Sequence, residues 1–249
     1  MRRRQFLAGA AAAATTAACA TSHPIASPST SSSSTAPSTS TTETATLPSF
    51  VNAGPRTSPR IALTFHVSGD PSLATGLLDL LHERNVRITA FMVGTFVDQF
   101  PDLVTRVVAD GHEIANHTYT HLTFASLPRE QMQSEVTRCR DALTRTAGTP
   151  GRFFRPSGTT NGLDAPSATE LGVITSAGYA TVVGFDVDPA DYDDPGADAV
   201  VTRTLAGVQP GSIISLHFGH QGTIDALPRI LDALETRHLE PVTASALLT

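Results

Sequence analysis

The chain has 249 residues, 40% of them hydrophobic, enough for one domain of ordinary size. Its net charge of -6 and the lack of a basic stretch beyond the first residues leave no electrostatic footprint for nucleic acid. Two Cys cannot build a disulfide framework, and no apolar run reaches the roughly 18 residues of a membrane-spanning helix.

Residues 1–19 read as an export signal: a charged start, a short Ala-rich apolar stretch and small residues at its end. Arg3-Arg4-Gln5-Phe6-Leu7 fits the twin-arginine pattern. Thr16-Ala17-Ala18-Cys19 resembles a lipoprotein cleavage box, with Thr16 where Leu is usual and Cys19 as the lipidated residue. Plain secretion after cleavage at an Ala-x-Ala-like site is the alternative. Either way the expected location is outside the cytoplasm, in the cell envelope if Cys19 anchors the chain. A lipid there is the only membrane contact expected.

Residues 20–58 are mostly Ser, Thr, Pro and Ala. Such a stretch buries too little apolar surface to offset its ordering entropy, so it is expected to be a disordered tether. Residues 59–249 then form the folded domain, expected to be monomeric.

In that domain β-rich apolar runs recur at about 60–66, 87–93, 112–116, 152–155, 179–185, 211–217 and 240–243. Helical stripes lie between most of them: Leu73, Leu77, Leu78 and Leu81; Leu103, Val104, Val107 and Val108; Ile224, Leu227, Ile230, Leu231 and Leu234. Met132, Val136, Cys139 and Leu143 form another, which makes Cys139 a buried core thiol. Strands alternating with helices imply a parallel sheet with right-handed crossovers. About seven units in roughly 190 residues suit a barrel smaller than the eight-unit form.

Reactive residues gather where these strands end. His66 and Asp70 follow the first run, His117 and His121 the third, Arg155 the fourth, Asp186, Asp188 and Asp191 the fifth, and His217 ends the sixth. Barrel enzymes carry their catalytic groups at the C-terminal strand ends. His117 and His121 stand four apart; on a helical turn both would face one metal ion. Asp70 is the nearest carboxylate for a third ligand, although Asp70-Pro71 before an apolar helix also reads as an N-cap with Pro at N1. His217 could protonate a leaving amine, oriented by a carboxylate from 186–191. That acidic run lacks the Gly and Glu of a calcium-binding EF-hand loop.

In order along the chain, five motifs resemble those of the polysaccharide deacetylase family, the NodB-type carbohydrate esterases. They are Ala62-Leu63-Thr64-Phe65, Asn116-His117-Thr118-Tyr119-Thr120-His121, Arg152-Phe153-Phe154-Arg155-Pro156, Asp188-Pro189-Ala190-Asp191-Tyr192 and Gly211 through His217. The resemblance implies a distorted (β/α)7 barrel, a divalent metal, usually zinc, and removal of N-acetyl groups from hexosamines of a polysaccharide. It also implies that His117 and His121 are ligands, Arg155 steers the base, Asp191 tunes His217, Leu216 and Tyr192 line the acetyl pocket, and the N–H near Gly158 helps stabilise the oxyanion. The family pattern Thr-Phe-Asp-Asp is broken here, where Thr64-Phe65-His66-Val67 stands. One repair makes His66 the base and Asp70 the third ligand. The other makes His66, His117 and His121 the ligands and Asp70 the base. A lapsed enzyme that only binds glycan is the rival reading.

Overall fold

The computed structural model describes residues 49–159 and 161–249. The export signal, Cys19 and most of the expected tether lie outside these residues. Among them are seven strands, with helices between all but the first two: β1 (Ser49–Val51), β2 (Arg60–Val67), β3 (Thr89–Met92), β4 (Glu113–Asn116), β5 (Thr181–Val183), β6 (Ile213–His217) and β7 (Glu240–Val242). The principal helices are α1 (Pro71–Glu83), α2 (Gly94–Gln99), α3 (Pro101–Ala109), α4 (Arg129–Ala147), α5 (Ala168–Ser176), α6 (Ala197–Gly207), α7 (Gln221–Thr236) and the short α8 (Ala244–Leu247).

All the strand pairings are parallel. β4, β3, β2 and β6 form one ladder in that order, with β7 against the start of β2 and β1 against β5. Single parallel bridges carry the ring onward, Asn116 to Phe154, Phe154 to Val182, and Val187 to Ile214. The expected strand at 152–155 is thus reduced to one bridging residue, and the barrel is distorted there. Every side chain of β2 after Arg60 is buried, because the strand is covered on both faces. Ile61, Leu63, Phe65 and Val67 pack outward under the helices, whereas Ala62 joins Phe91, Ala115, Phe153 and Ile213 in the barrel interior. Cys139 lies on the buried stripe of α4, where burial pushes its thiol up to about 12.

One boundary is corrected. The tether was expected to run to residue 58, yet Ser49–Val51 pairs with β5, the Gly54 N–H donates to the Gly211 carbonyl, and Arg56 bonds Asp186. Phe50 and Val51 supply the apolar contacts that keep this short strand in place.

The irregular strand position depends on Gly151. Its φ is +75°, and a Cβ there would stand 2.6 Å from the Ile114 carbonyl oxygen and 3.0 Å from Ala115 Cα. A side chain meets backbone, which cannot swing aside. Gly151→Ala is expected to cost about 2–4 kcal/mol, from the left-handed conformation plus overpacking. Urea unfolding checks this; an unchanged midpoint would mean that the 151–155 segment is free to shift.

Candidate active site

Strand alternation places the site. Along β2, Ala62, Thr64 and His66 share one face; along β6, Ile213, Ser215 and His217 do. The two strands are in register with His66 opposite His217. Apolar residues fill the barrel below, and polar residues occupy the C-terminal ends. A cleft of about 340 Å³ opens there, with His66, His121, Gly158, Asp188, Tyr192 and His217 in its wall.

The floor is organised around Arg155, 1% exposed. Its guanidinium donates to the carbonyls of Val183 and Gly184, to Thr64 Oγ1 and, at 2.9 Å, to His66 Nε2. It also lies 3.9 Å from the centre of the Phe91 ring. None of these partners is a carboxylate. Burial lowers the guanidinium to about 9, still charged at neutral pH.

This cation fixes the protons of its neighbours. Arg has no acceptor, so His66 Nε2 must present its lone pair and Nδ1 must carry the hydrogen. His66 Nδ1 then donates to His217 Nε2 at 2.9 Å. His217 in turn donates from Nδ1 to Asp191 Oδ1 at 2.7 Å. Asp191 is fully buried and also accepts from the His217 N–H and from Thr223 Oγ1. The result is one directed chain, Arg155 to His66 to His217 to Asp191. Desolvation, reinforced by His117, His217 and Arg155, holds His66 well below its usual value and therefore neutral.

His117 and His121 converge by a different route from the helical turn expected. Residues 117–123 are an irregular loop, with Thr118 and His121 at φ +66° and +63°. Asn116 Oδ1 accepts the Thr118 N–H, and the Glu135 carboxylate on α4 accepts from the Tyr119 and Thr120 amides and the Thr120 hydroxyl. These bonds bring the two Nε2 atoms to 3.2 Å. His117 Nδ1 donates to the Arg155 carbonyl, which leaves Nε2 as a lone pair. Burial holds His117 well below its usual value, and burial with His217 nearby lowers His121.

Two imidazole ligands of a tetrahedral zinc, each about 2.0–2.1 Å from the ion, stand about 3.3 Å apart. The His117–His121 pair therefore fits two positions of such an ion. Neither expected third ligand joins them. Asp70 is solvent-exposed and caps α1: its Oδ1 accepts from the Ser72 N–H and hydroxyl, bonds that also lower its carboxyl. His66 is stacked on His117, with ring centres 4.1 Å apart, and both its nitrogens are occupied. Val67, at the position of the second Asp of the family pattern, is buried in the outer core. Among the described residues no three His, Cys, Asp or Glu side chains are grouped to hold a metal. Both repairs of the broken motif thus meet a physical obstacle.

Of the expected substrate contacts, Gly158 and Tyr192 line the cleft, and the Tyr192 ring lies edge-on to His217. Leu216 does not. One residue before the inward-facing His217, it points to the other side of β6 and packs in the outer core. Two participants were not singled out from the sequence. Glu135 shapes the His loop; its place four residues before Cys139 on a core stripe gave no hint. His220 faces the cleft with Nδ1 held by Asp194 at 2.8 Å, repeating the Asp191–His217 spacing three residues on. Asp188, named from the sequence among the strand-end acids and at the head of the fourth motif, lines the cleft too, where desolvation raises its carboxyl.

Comparison with known proteins bears on the family and the fold. Residues 53–180 match the family model for polysaccharide deacetylase. A peptidoglycan-N-acetylglucosamine deacetylase of Bacillus cereus is 31% identical over 199 residues, 78% of this chain and 70% of that protein. A chitooligosaccharide deacetylase of Sinorhizobium fredii is 34% identical over 197 residues, 72% of this chain and 87% of that protein. The crystal structure of the Bc1960 peptidoglycan N-acetylglucosamine deacetylase superposes with a TM-score of 0.73 at 29% identity, over 80% of this chain and 92% of that one. With strand-end motifs, parallel α/β fold and relatives in agreement, the chain belongs to the polysaccharide deacetylase family.

Proposed function

We propose that the domain is a metal-dependent hydrolase that removes N-acetyl groups from hexosamine residues of a polysaccharide outside the cytoplasm. The observation that carries this reading is the buried Asp191–His217 pair opening into a cleft beside two converging, neutral imidazoles. A divalent ion at His117 and His121, zinc by ligand type, would supply polarisation of the acyl carbonyl and of the attacking water. The chain's own residues supply the proton handling. Asp191 holds the His217 ring by Nδ1, so Nε2, which accepts from His66 at 2.9 Å in this structure, is the nitrogen that meets a leaving amine once that contact opens. The freed His217 Nε2 takes one proton as water adds to the carbonyl carbon and returns it to the nitrogen as the C–N bond breaks, so the ring ends as it began. Arg155 keeps His66 oriented, and Tyr192 offers the sugar an apolar face.

A second reading, glycan binding without turnover, is favoured by one observation: Val67 is in the core and Asp70 is a helix cap, so only two metal ligands are assembled. Acetate release from zinc-loaded protein on N-acetylated glycans separates the two. For the hydrolase, His217→Ala should lower kcat about 10²–10⁴-fold while glycan still binds. His117→Ala and His121→Ala should each abolish stoichiometric zinc, and Asp70→Ala should leave zinc affinity unchanged while lowering Tm. Wild-type protein that binds glycan without releasing acetate, with turnover gained in the His66→Asp, Val67→Asp double variant, would establish the binding module.

The neutral, buried imidazoles have a consequence for the metal-free protein. His66 and His117 are held below 6.5 in the fold and return to about 6.5 when unfolded. The unfolded chain therefore binds more protons below that pH. Stability is full above about pH 6.5 and falls as the pH drops, by about 1.4 kcal/mol per pH unit for each imidazole. Urea unfolding between pH 7 and pH 5 should show this loss, and zinc loading should add to stability at pH 7.

The location outside the cytoplasm rests on Arg3 to Leu7 and on Cys19, which lie outside the described residues. Cys19→Ala should move the protein from the membrane fraction to the medium, or block its processing, with activity per molecule unchanged. A wild type found wholly free in the medium would remove the lipid anchor.

A further inference from the structure

Four imidazoles stand in the wall of the cleft, and three of them have Nε2 committed: His66 to Arg155, His217 to His66, and His121 against His117. His220 is the exception. Its Nδ1 donates to Asp194 Oδ1 at 2.8 Å, and among the described residues its Nε2 has no hydrogen-bond partner. The ring is held from two sides. Gly219, at φ +82°, brings the turn after β6 so near the end of β2 that a Cβ there would stand 3.0 Å from the Ser68 carbonyl oxygen. Asp194 is fixed in the left-handed region at φ +50°, with its N–H on the Asp191 carbonyl.

Stability does not account for this pair. The Asp194 side chain is 70% exposed, and ion pairs made by exposed carboxylates contribute little. His220 occupies the N-cap position of α7, yet its side chain makes no capping bond. What the pair does fix is the direction in which Nε2 points. The arrangement is that of Asp191 and His217, with the same separation of 26 residues, moved past the end of β6 toward the mouth of the cleft.

The group met there follows from the reading of the cleft as a hexosamine site, on which this inference rests. The ring centres of Tyr192 and His220 lie 5.1 and 6.1 Å from that of His217, so both border the sugar that carries the amide. A pyranose presents an apolar face, which suits Tyr192, and hydroxyls at its edge. A hydroxyl both donates and accepts, so it pairs with an imidazole nitrogen in either proton form. We propose that His220 is a substrate-binding residue that hydrogen-bonds a ring hydroxyl of the hexosamine through Nε2, with Asp194 holding the imidazole in place. It grips the sugar and moves no proton, so it contributes to KM and not to kcat.

Substitutions that keep one ring nitrogen and lose the other test this on zinc-loaded full-length protein. Asn places its amide where Nδ1 was, so His220→Asn retains the bond to Asp194 and loses the atom that faces the cleft. Gln reaches the position of Nε2. Calorimetric affinity for an N-acetylglucosamine oligomer is measured in the His217→Ala background, which prevents turnover. It should fall about 10-fold in His220→Asn, the worth of one hydrogen bond, and be largely recovered in His220→Gln. With His217 present, KM should rise by the same factor at unchanged kcat, and the Tm of His220→Asn should match that of wild type. Undiminished binding by His220→Asn overturns the proposal. Equal weakening in both variants, or a lowered Tm in His220→Asn, also overturns it, because the pair would then be structural. A fall in kcat at unchanged KM overturns it as well, since His220 would then carry a proton. Failure of the parent protein to bind the oligomer overturns the glycan reading and this inference together, whereas binding without acetate release by wild type overturns the hydrolase reading alone.

Discussion

The site depends on how a buried guanidinium is neutralised. Arg155 hydrogen-bonds to no carboxylate, and the acid whose charge acts on it through space is Asp188. The negative charge nearest along its hydrogen bonds is Asp191, reached through two imidazoles. A buried cation is costly without nearby negative charge, so Asp188 and the Asp191 end of this chain both offset it. Because Arg can only donate and Asp191 only accepts when ionised, the chain has one direction. Every hydrogen on His66 and His217 is thereby assigned, with no choice left to either ring. An Asp at position 66 would make a direct ion pair with Arg155 and release His217 from this coupling. The His at 66 thus changes the electrostatics of the whole floor and not one residue's role alone.

The same substitution separates two parts of the family's design that normally share a strand end. The half to which the proposed function gives proton transfer keeps Asp191 and His217 in contact, held by Thr223 and by the strand backbone. The half proposed to hold a metal keeps its imidazole pair, which the loop bonded to Glu135 positions independently of β2. Only the ligand that β2 would contribute is gone, replaced by apolar packing at Val67. The loss is local because the ligands come from separate elements.

Much of this was legible in the sequence. Alternating apolar runs and stripes placed the strands and helices, and His66, His117, Arg155 and His217 were found by their position at strand ends. Other parts were obscured for physical reasons. β1 is three residues long, too short for periodicity to register, and exists through its pairing with β5. The spacing of His117 and His121 is helical, yet Asn116, Glu135 and the start of α2 hold that segment as a loop, by bonds between residues distant in sequence. Asp70 carried two meanings, and local capping chemistry won over metal binding. Leu216 is different: period-two alternation from His217 already put it on the outer face, and family resemblance overrode a signal that the residues themselves contained.

The parallel pairing of β1 with β5 also fixes where β1 enters the barrel. Ser49 lies opposite Thr181, at the starting end of the strands, whereas the cleft lies where the strands finish. A pull applied at Ser49 is taken up by β1, through its ladder to β5 and the contacts of Phe50 and Val51, without passing through the histidine cluster. The barrel is in this sense a cup gripped at its base, and a load on β1 leaves the rim undisturbed.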